Sequence, residues 1–117
     1  MAGSLGVCRF KPAERIADPQ DFKNVMRSGK KTLSKNFILF SKPNNKQCHR
    51  LGIVISKEVG RATYRNRVKR LLREFFRLNK HQIHGTLDAV ILVRKGCAVN
   101  RYCEVEEELR RVFARVW

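Results

Sequence analysis

An α/β (α+β) fold is what this sequence predicts: a single-domain, two-layer α-β sandwich in the order α-β-β-α-β-α. Three observations carry that expectation. A chain of 117 residues, 43% hydrophobic and 31% charged, can bury one core but not two, and it is too apolar to be disordered. Two long segments, about 62–80 and about 101–116, repeat apolar residues at helical spacing. Three short apolar runs, each bounded by turn-forming residues, read as strands.

Residues 1–17 show no period and read as a loose N-terminal arm. Asp18-Pro19 then supplies a capping side chain followed by proline at the first helical position. Phe22, Val25 and Met26 fall at i, i+3 and i+4, and Gly29 closes this first helix. "NFILFS" (36–41) is a strand, "KPNNKQ" a turn and "RLGIVIS" (50–56) a second strand, so the two are expected to pair as an antiparallel hairpin. Gly60 separates them from the long helix, and "LDAVILVR" (87–94) forms a third strand between Gly85 and Gly96. The last helix places Val105, Leu109, Val112, Phe113 and Val116 on one face. Glu104, Glu106, Glu107 and Glu108 gather near its start, where the helix dipole favours negative charge.

Charge narrows the function. Twenty-six Lys and Arg against ten Asp and Glu leave a net charge of +16. Such self-repulsion is relieved by a polyanion, and nucleic acid is the expected partner. No stretch approaches the roughly 20 apolar residues of a membrane span, so no membrane partner is expected. "MAGSLGVCRF" lacks the charged start and apolar run of a signal peptide. Cys8, Cys48, Cys97 and Cys103 form no C-x-x-C pair, and His49, His81 and His84 are not spaced to complete a metal site. Reduced, non-ligand cysteines in a cytoplasmic protein are the expectation.

Two features point to how RNA would be held. At about 100° per residue, Val68, Leu71, Leu72, Phe75 and Leu78 make one apolar stripe on the long helix. Asn66, Lys69, Arg70, Arg73, Arg77 and Lys80 gather opposite, with Arg65 and Arg67 flanking and Glu74 the one neighbouring acid. Like charges at this spacing destabilise a helix unless phosphates face them. The second feature is a sheet apolar on both sides: Phe37 and Leu39 alternate with Ile38 and Phe40, and Val90 and Leu92 alternate with Ala89, Ile91 and Val93. The first helix is too short to cover the second face. That face is either an open groove holding Phe22, Ile38 and Phe40, edged by Lys31, Lys57 and Lys95, or core covered by residues 1–17. Aromatic platforms with cationic edges suit an unpaired nucleic-acid strand.

"SKEVGRATYRNRVKRLLREFFR" closely resembles the signature of the bacterial ribonuclease P protein subunit: a Lys, a Gly-x-Ala, then Arg-Asn-Arg-x-x-Arg-x-x-Arg-Glu. Asp21-Phe22, Val25, Gly29, "RLGIVISK" and "DAVILVRKG" extend the resemblance over residues 10–115. It implies a subunit that is inert alone. A catalytic RNA would remove the 5′ leader of precursor tRNA with Mg2+ needed by the ribonucleoprotein, no cofactor being bound by the protein alone. One protein per RNA is implied. So is a left-handed βαβ crossover, against the common rule. Contacts to the catalytic RNA would come from Arg65, Asn66, Arg67, Lys69, Arg70 and Arg73. Leader contacts would come from Phe22, Met26, Lys31, Ile38, Phe40, Lys57, Ile91, Val93 and Lys95. Met26 stands where many relatives carry an aromatic, and Glu58 stands where a second lysine is frequent.

Other classes fit less well. Another small basic RNA-binding protein, such as a ribosomal protein, shares charge and size but not the Arg-Asn-Arg motif. A protein-only nuclease needs clustered carboxylates, whereas the acids here are scattered or, at 104–108, turned in different directions by helical spacing.

Overall fold

A computed structural model describes residues 14–44, 46, 48–83 and 85–114. The elements are α1 (Pro19–Ser28), β1 (Lys30–Leu33), β2 (Phe37–Pro43), β3 (Arg50–Val54), α2 (Ala62–Asn79), β4 (Leu87–Val93) and α3 (Tyr102–Phe113). The expected order is present, with β1 added. Its sequence, Lys-Lys-Thr-Leu, lacks a strand signal because only Thr32 is buried; the exposed lysines mark a sheet edge. Asp18 caps α1, its side chain accepting from the Gln20 N–H at 2.9 Å. Gly29 ends α1 in extended backbone, at φ −77°. Glycine is needed there because a Cβ would collide with the carbonyl oxygens of Val25 and Ser41.

The strand order is β1-β2-β4-β3. β2 pairs antiparallel with β1 and β4, while β3 runs parallel to β4. The expected hairpin between the strands at 36–41 and 50–56 therefore does not form, because β4 lies between them. β4 is apolar on both faces, and all its residues but Leu92 are buried. A strand of that kind belongs at the sheet's centre, with neighbours on both edges. Ile16 donates its N–H to the Leu51 carbonyl at 3.0 Å, and Arg15 bridges Leu51 in parallel. Residues 14–16 are thus held against the outer edge of β3, which corrects the reading of a loose arm through residue 17. Residues 1–13 lie outside the described residues.

The main core fills the space between one sheet face and the two long helices. Phe37, Leu39, Ala89 and Ile91 meet Val68, Leu72, Phe75 and Phe76 of α2 and Val105, Leu109 and Phe113 of α3. The stripe on α2 differs from expectation at one end: Leu78 is exposed, and Phe76 and Asn79 are buried. Val68, Leu72, Phe75 and Asn79 cluster within about 60° around the helix, and Leu78 falls about 100° from the middle of that arc. Val116 lies outside the described residues. The glutamates of α3 do diverge. Glu104 caps the helix start, accepting from the backbone N–H groups of Asn100 and Arg101, each at 2.9 Å. Glu106 and Glu107 pair with Arg110 and Arg111. Glu108 turns to the sheet, taking the Asn36 backbone and side-chain N–H groups, each at 2.7 Å, and the Ser34 hydroxyl.

One buried ion pair ties the start of β3 to β4 and α1. Arg50 grips Asp88 through Nε (2.8 Å) and Nη2 (2.7 Å) and reaches Asp21 of α1 at 3.3 Å; Asn44 donates to Asp88 at 2.8 Å. Burial alone would raise the Asp88 carboxyl, but hydrogen bonds from Arg50 and Asn44 outweigh it and hold the group below its ordinary value. A depressed carboxylate stabilises the fold above its unfolded pKa and loses that contribution as pH falls through the folded one. Chemical denaturation should therefore show wild type losing stability between about pH 4 and pH 2 by a margin that Asp88→Asn lacks. At neutral pH Asp88→Ala, which removes two of Arg50's three carboxylate hydrogen bonds and leaves the one to Asp21, should cost about 3 kcal/mol.

Candidate nucleic-acid interface

α2 carries its cations on the face turned from the core, yet they do not all remain available. Arg77 pairs with Glu74 at 2.6 Å, and Lys80 pairs with the buried Glu14 at 2.5 Å. These two leave the expected basic face and become structural. Asn66, Arg67 and Arg70 are exposed, and Arg65, Lys69 and Arg73 are half-buried. None of these five cations has a carboxylate partner among the described residues. The Arg65 Nε is buried and meets no acceptor among the described residues. Tyr64 anchors this first turn: its hydroxyl donates to the Val99 carbonyl at 2.7 Å. Burial and the neighbouring Cys97 push that phenol up to about 12, so it stays a donor at neutral pH.

The second sheet face is partly covered and partly open. Phe40 (8% exposed) clusters with Ile16, Val25 and Val90, so the segment before α1 does close one end. Phe22, Met26, Ile38, Val54 and Leu92 are half-buried against that cluster. Beyond it lies an open depression of about 350 Å³ among Ile38, Val54, Ser56, Leu92, Arg94 and Lys95. Of the segment expected as a possible cover, Ile16 closes one end of this face, and residues 1–13 lie outside the described residues.

Register decides which side chains can reach the depression. Ile38 sits opposite Leu92 and Phe40 opposite Val90. Ile91 is fully buried and projects into the main core with Leu39, which corrects its assignment to the groove. Val93 also packs in that core but lines the depression. Sequence reasoning missed Val54, Ser56, Leu92 and Arg94. Parity along the strand would have linked Leu92 to the face of Ile38 once β4 was known to pair with β2. Of the expected cationic edges, Lys31 lies 5.9 Å over the Phe40 ring and Lys95 lines the depression. Glu58 pairs with Lys95 at 3.1 Å, an exposed bridge that blunts this edge. Lys57 is exposed on the turn after β3.

A mixed sheet backed by two helices, with a cationic helix face and a furrow on the opposite side, defines a small basic RNA-binding protein. The family model for Ribonuclease P matches residues 10–117. The Ribonuclease P protein component of Desulforapulum autotrophicum is 37% identical over 112 residues, covering 96% of each chain. That of Bacillus cereus is 36% identical, covering 91% of this chain and 93% of the relative. Among solved structures, the RNase P protein from Thermotoga maritima superposes with a TM-score of 0.78 at 33% identity, over 89% of this chain and 98% of that one. A Staphylococcus aureus RNase P protein mutant with defective mRNA degradation activity gives a TM-score of 0.81 at 29% identity, over 90% and 91% of the chains. The chain belongs to the ribonuclease P protein family.

Gly52 sets the position of the groove's half-buried aromatic. A Cβ at residue 52 would lie 2.5 Å from Cε1 and 2.8 Å from Cζ of Phe22, so the ring rests directly on the β3 backbone. Gly52→Ala should swing the ring outward at a cost of about 1–3 kcal/mol. Denaturant titration reads the cost. Loss of nuclear Overhauser contacts between Phe22 and β3 reads the displacement, and a wild-type contact pattern would contradict it.

Proposed function

We propose that this chain is the RNA-binding protein subunit of ribonuclease P, acting in the cytoplasm as one protein per catalytic RNA. The catalytic RNA docks on Arg65, Asn66, Arg67, Lys69, Arg70 and Arg73. The 5′ leader of precursor tRNA lies along the depression beside Phe22, Met26, Ile38 and Leu92, with Lys31 and Lys95 meeting its phosphates. The observation that carries this reading is the run of α2 cations without carboxylate partners among the described residues. A phosphate backbone would relieve their mutual repulsion and satisfy the stranded Arg65 Nε, a buried donor whose isolation costs about 1–3 kcal/mol.

The subunit is non-catalytic in this reading. Phosphodiester hydrolysis by protein groups needs metal-holding carboxylates or a poised base. Among the described residues no group of three His, Cys, Asp or Glu side chains is placed to hold a metal ion, and this reading assigns the magnesium to the RNA. What the protein contributes is charge neutralisation, which draws two polyanions together, and a furrow that distinguishes substrate with a leader from product without one.

Reconstitution tests this. With a bacterial catalytic RNA at low magnesium, the protein should stimulate cleavage of precursor tRNA and should cleave nothing alone. Arg65→Ala, Arg67→Ala and Arg70→Ala combined should weaken assembly and reduce the magnitude of the salt slope by about 2–3. Cleavage by the protein alone, or an unaltered slope, would count against the assignment.

A further inference from the structure

The groove face and the helix face meet at the outer edge of β3, and a second small cleft lies there. It has a volume of about 140 Å³. Its cations are Arg15, Lys69 and Arg73, its apolar lining includes Ile16 and Phe22, and no carboxylate is among its lining residues. We propose that this cleft seats one phosphodiester of bound RNA, with Arg15 as the third arm of a cradle begun by Lys69 and Arg73. The proposal rests on the RNA-binding reading above and adds a site that links the two surfaces.

Backbone geometry brings the three cations together. The parallel bridge between Arg15 and Leu51, with the Ile16 N–H on the Leu51 carbonyl at 3.0 Å, fixes residue 15 at the strand edge. Glu14 fastens the same segment to the end of α2 through Lys80, at 2.5 Å. Lys69 and Arg73 stand four residues apart on α2 and so share one side of the helix. Arg73 is half-buried; burial first, and the Arg15 guanidinium second, push its pKa below the ordinary value. Neither Lys69 nor Arg73 has an acid to pair with among the described residues. A fold that pins a cation beside two others raises its own electrostatic energy, and one bound phosphate reverses the sign of that term.

The surroundings favour a nucleotide backbone over a lone ion. Gly52 and Phe22 belong to the groove side of β3, whereas Leu51 and Ile53 belong to its core side, and all four line the cleft. A strand leaving the groove past Phe22 would cross this edge to reach α2, with one phosphate passing among the three cations. The phosphodiester can come from the precursor's leader or from the catalytic RNA.

The test uses the full chain assembled with a bacterial catalytic RNA. Arg15→Ala removes an exposed side chain and leaves the backbone bonds to Leu51 in place, and a thermal melt beside wild type separates any cost to the fold from a loss of RNA contact. The variant's affinity should fall about 5-fold, with the salt slope reduced by about 0.7–0.9, one charge's worth. A loss for precursor tRNA and none for mature tRNA identifies a leader phosphate. A loss in assembly with the catalytic RNA identifies a phosphate of that RNA. Arg15→Lys should restore the slope, and Arg15→Ala combined with Arg73→Ala should lose less than the sum of the single effects, because both act on one phosphate. Wild-type affinity and slope for Arg15→Ala in both arms, or a lysine as weak as alanine, would overturn the proposal. The Arg65, Arg67 and Arg70 triple variant measured alongside separates the causes: if it keeps its loss while Arg15→Ala has none, only the cradle fails.

Discussion

Everything in this structure follows from where β4 must go. Leu87–Val93 is apolar on both faces, so neither side can be left in water and neither edge can be left unpaired without cost. It takes the middle of the sheet, antiparallel to β2 and parallel to β3. The parallel pairing demands a crossover, and α2 is that crossover. The helix bearing the cations is therefore packed on one face of the sheet while the furrow opens on the other. The two surfaces proposed to meet RNA are the outer sides of one sandwich.

The charges divide into two populations by what surrounds them. Arg50, Lys80 and Arg77 pair within the fold; Arg50 grips Asp88 on the sheet face that α1 covers, and Lys80 pins Glu14 and with it the segment that carries Ile16. Among the described residues Arg65, Arg67, Lys69, Arg70 and Arg73 pair with no acid, because the α3 glutamates are committed to capping, to their own helix and to Asn36. Segregation of this kind lowers the stability of the isolated protein and concentrates its field on one face. Steering toward a polyanion is the physical return.

The furrow shows a comparable division of labour along its length. Ile16 and Val25 close over Phe40 at one end, which makes that aromatic part of the core and leaves Phe22 as the aromatic at the surface. Ile38 and Leu92, directly opposite each other on β2 and β4, supply the open apolar floor. Gly52 allows Phe22 to lie flat on β3, where any side chain would lift it away.

The elements were legible in the sequence because their signals are local. Helical spacing placed α1 and α2 within a residue or two, Asp18-Pro19 marked a true cap, and the Arg-Asn-Arg motif identified the family before any coordinates. Alternation along β2 separated Phe37 and Leu39 from Ile38 and Phe40 correctly. Strand pairing is non-local, and there the sequence reading failed. The hairpin was inferred from adjacency along the chain, although the double-sided apolarity of β4 argued for its central position. Alternation set Ile91 and Val93 on the face opposite Val90 and Leu92, but only the register with β2 shows that Val90 and Leu92 share the face of Ile38 and Phe40. Which cations stay available was likewise invisible, since Glu14 lies 66 residues from Lys80. Local periodicity fixes what each segment is. Only the closing of the sheet determines what each side chain faces, because that depends on contacts between residues far apart in the chain.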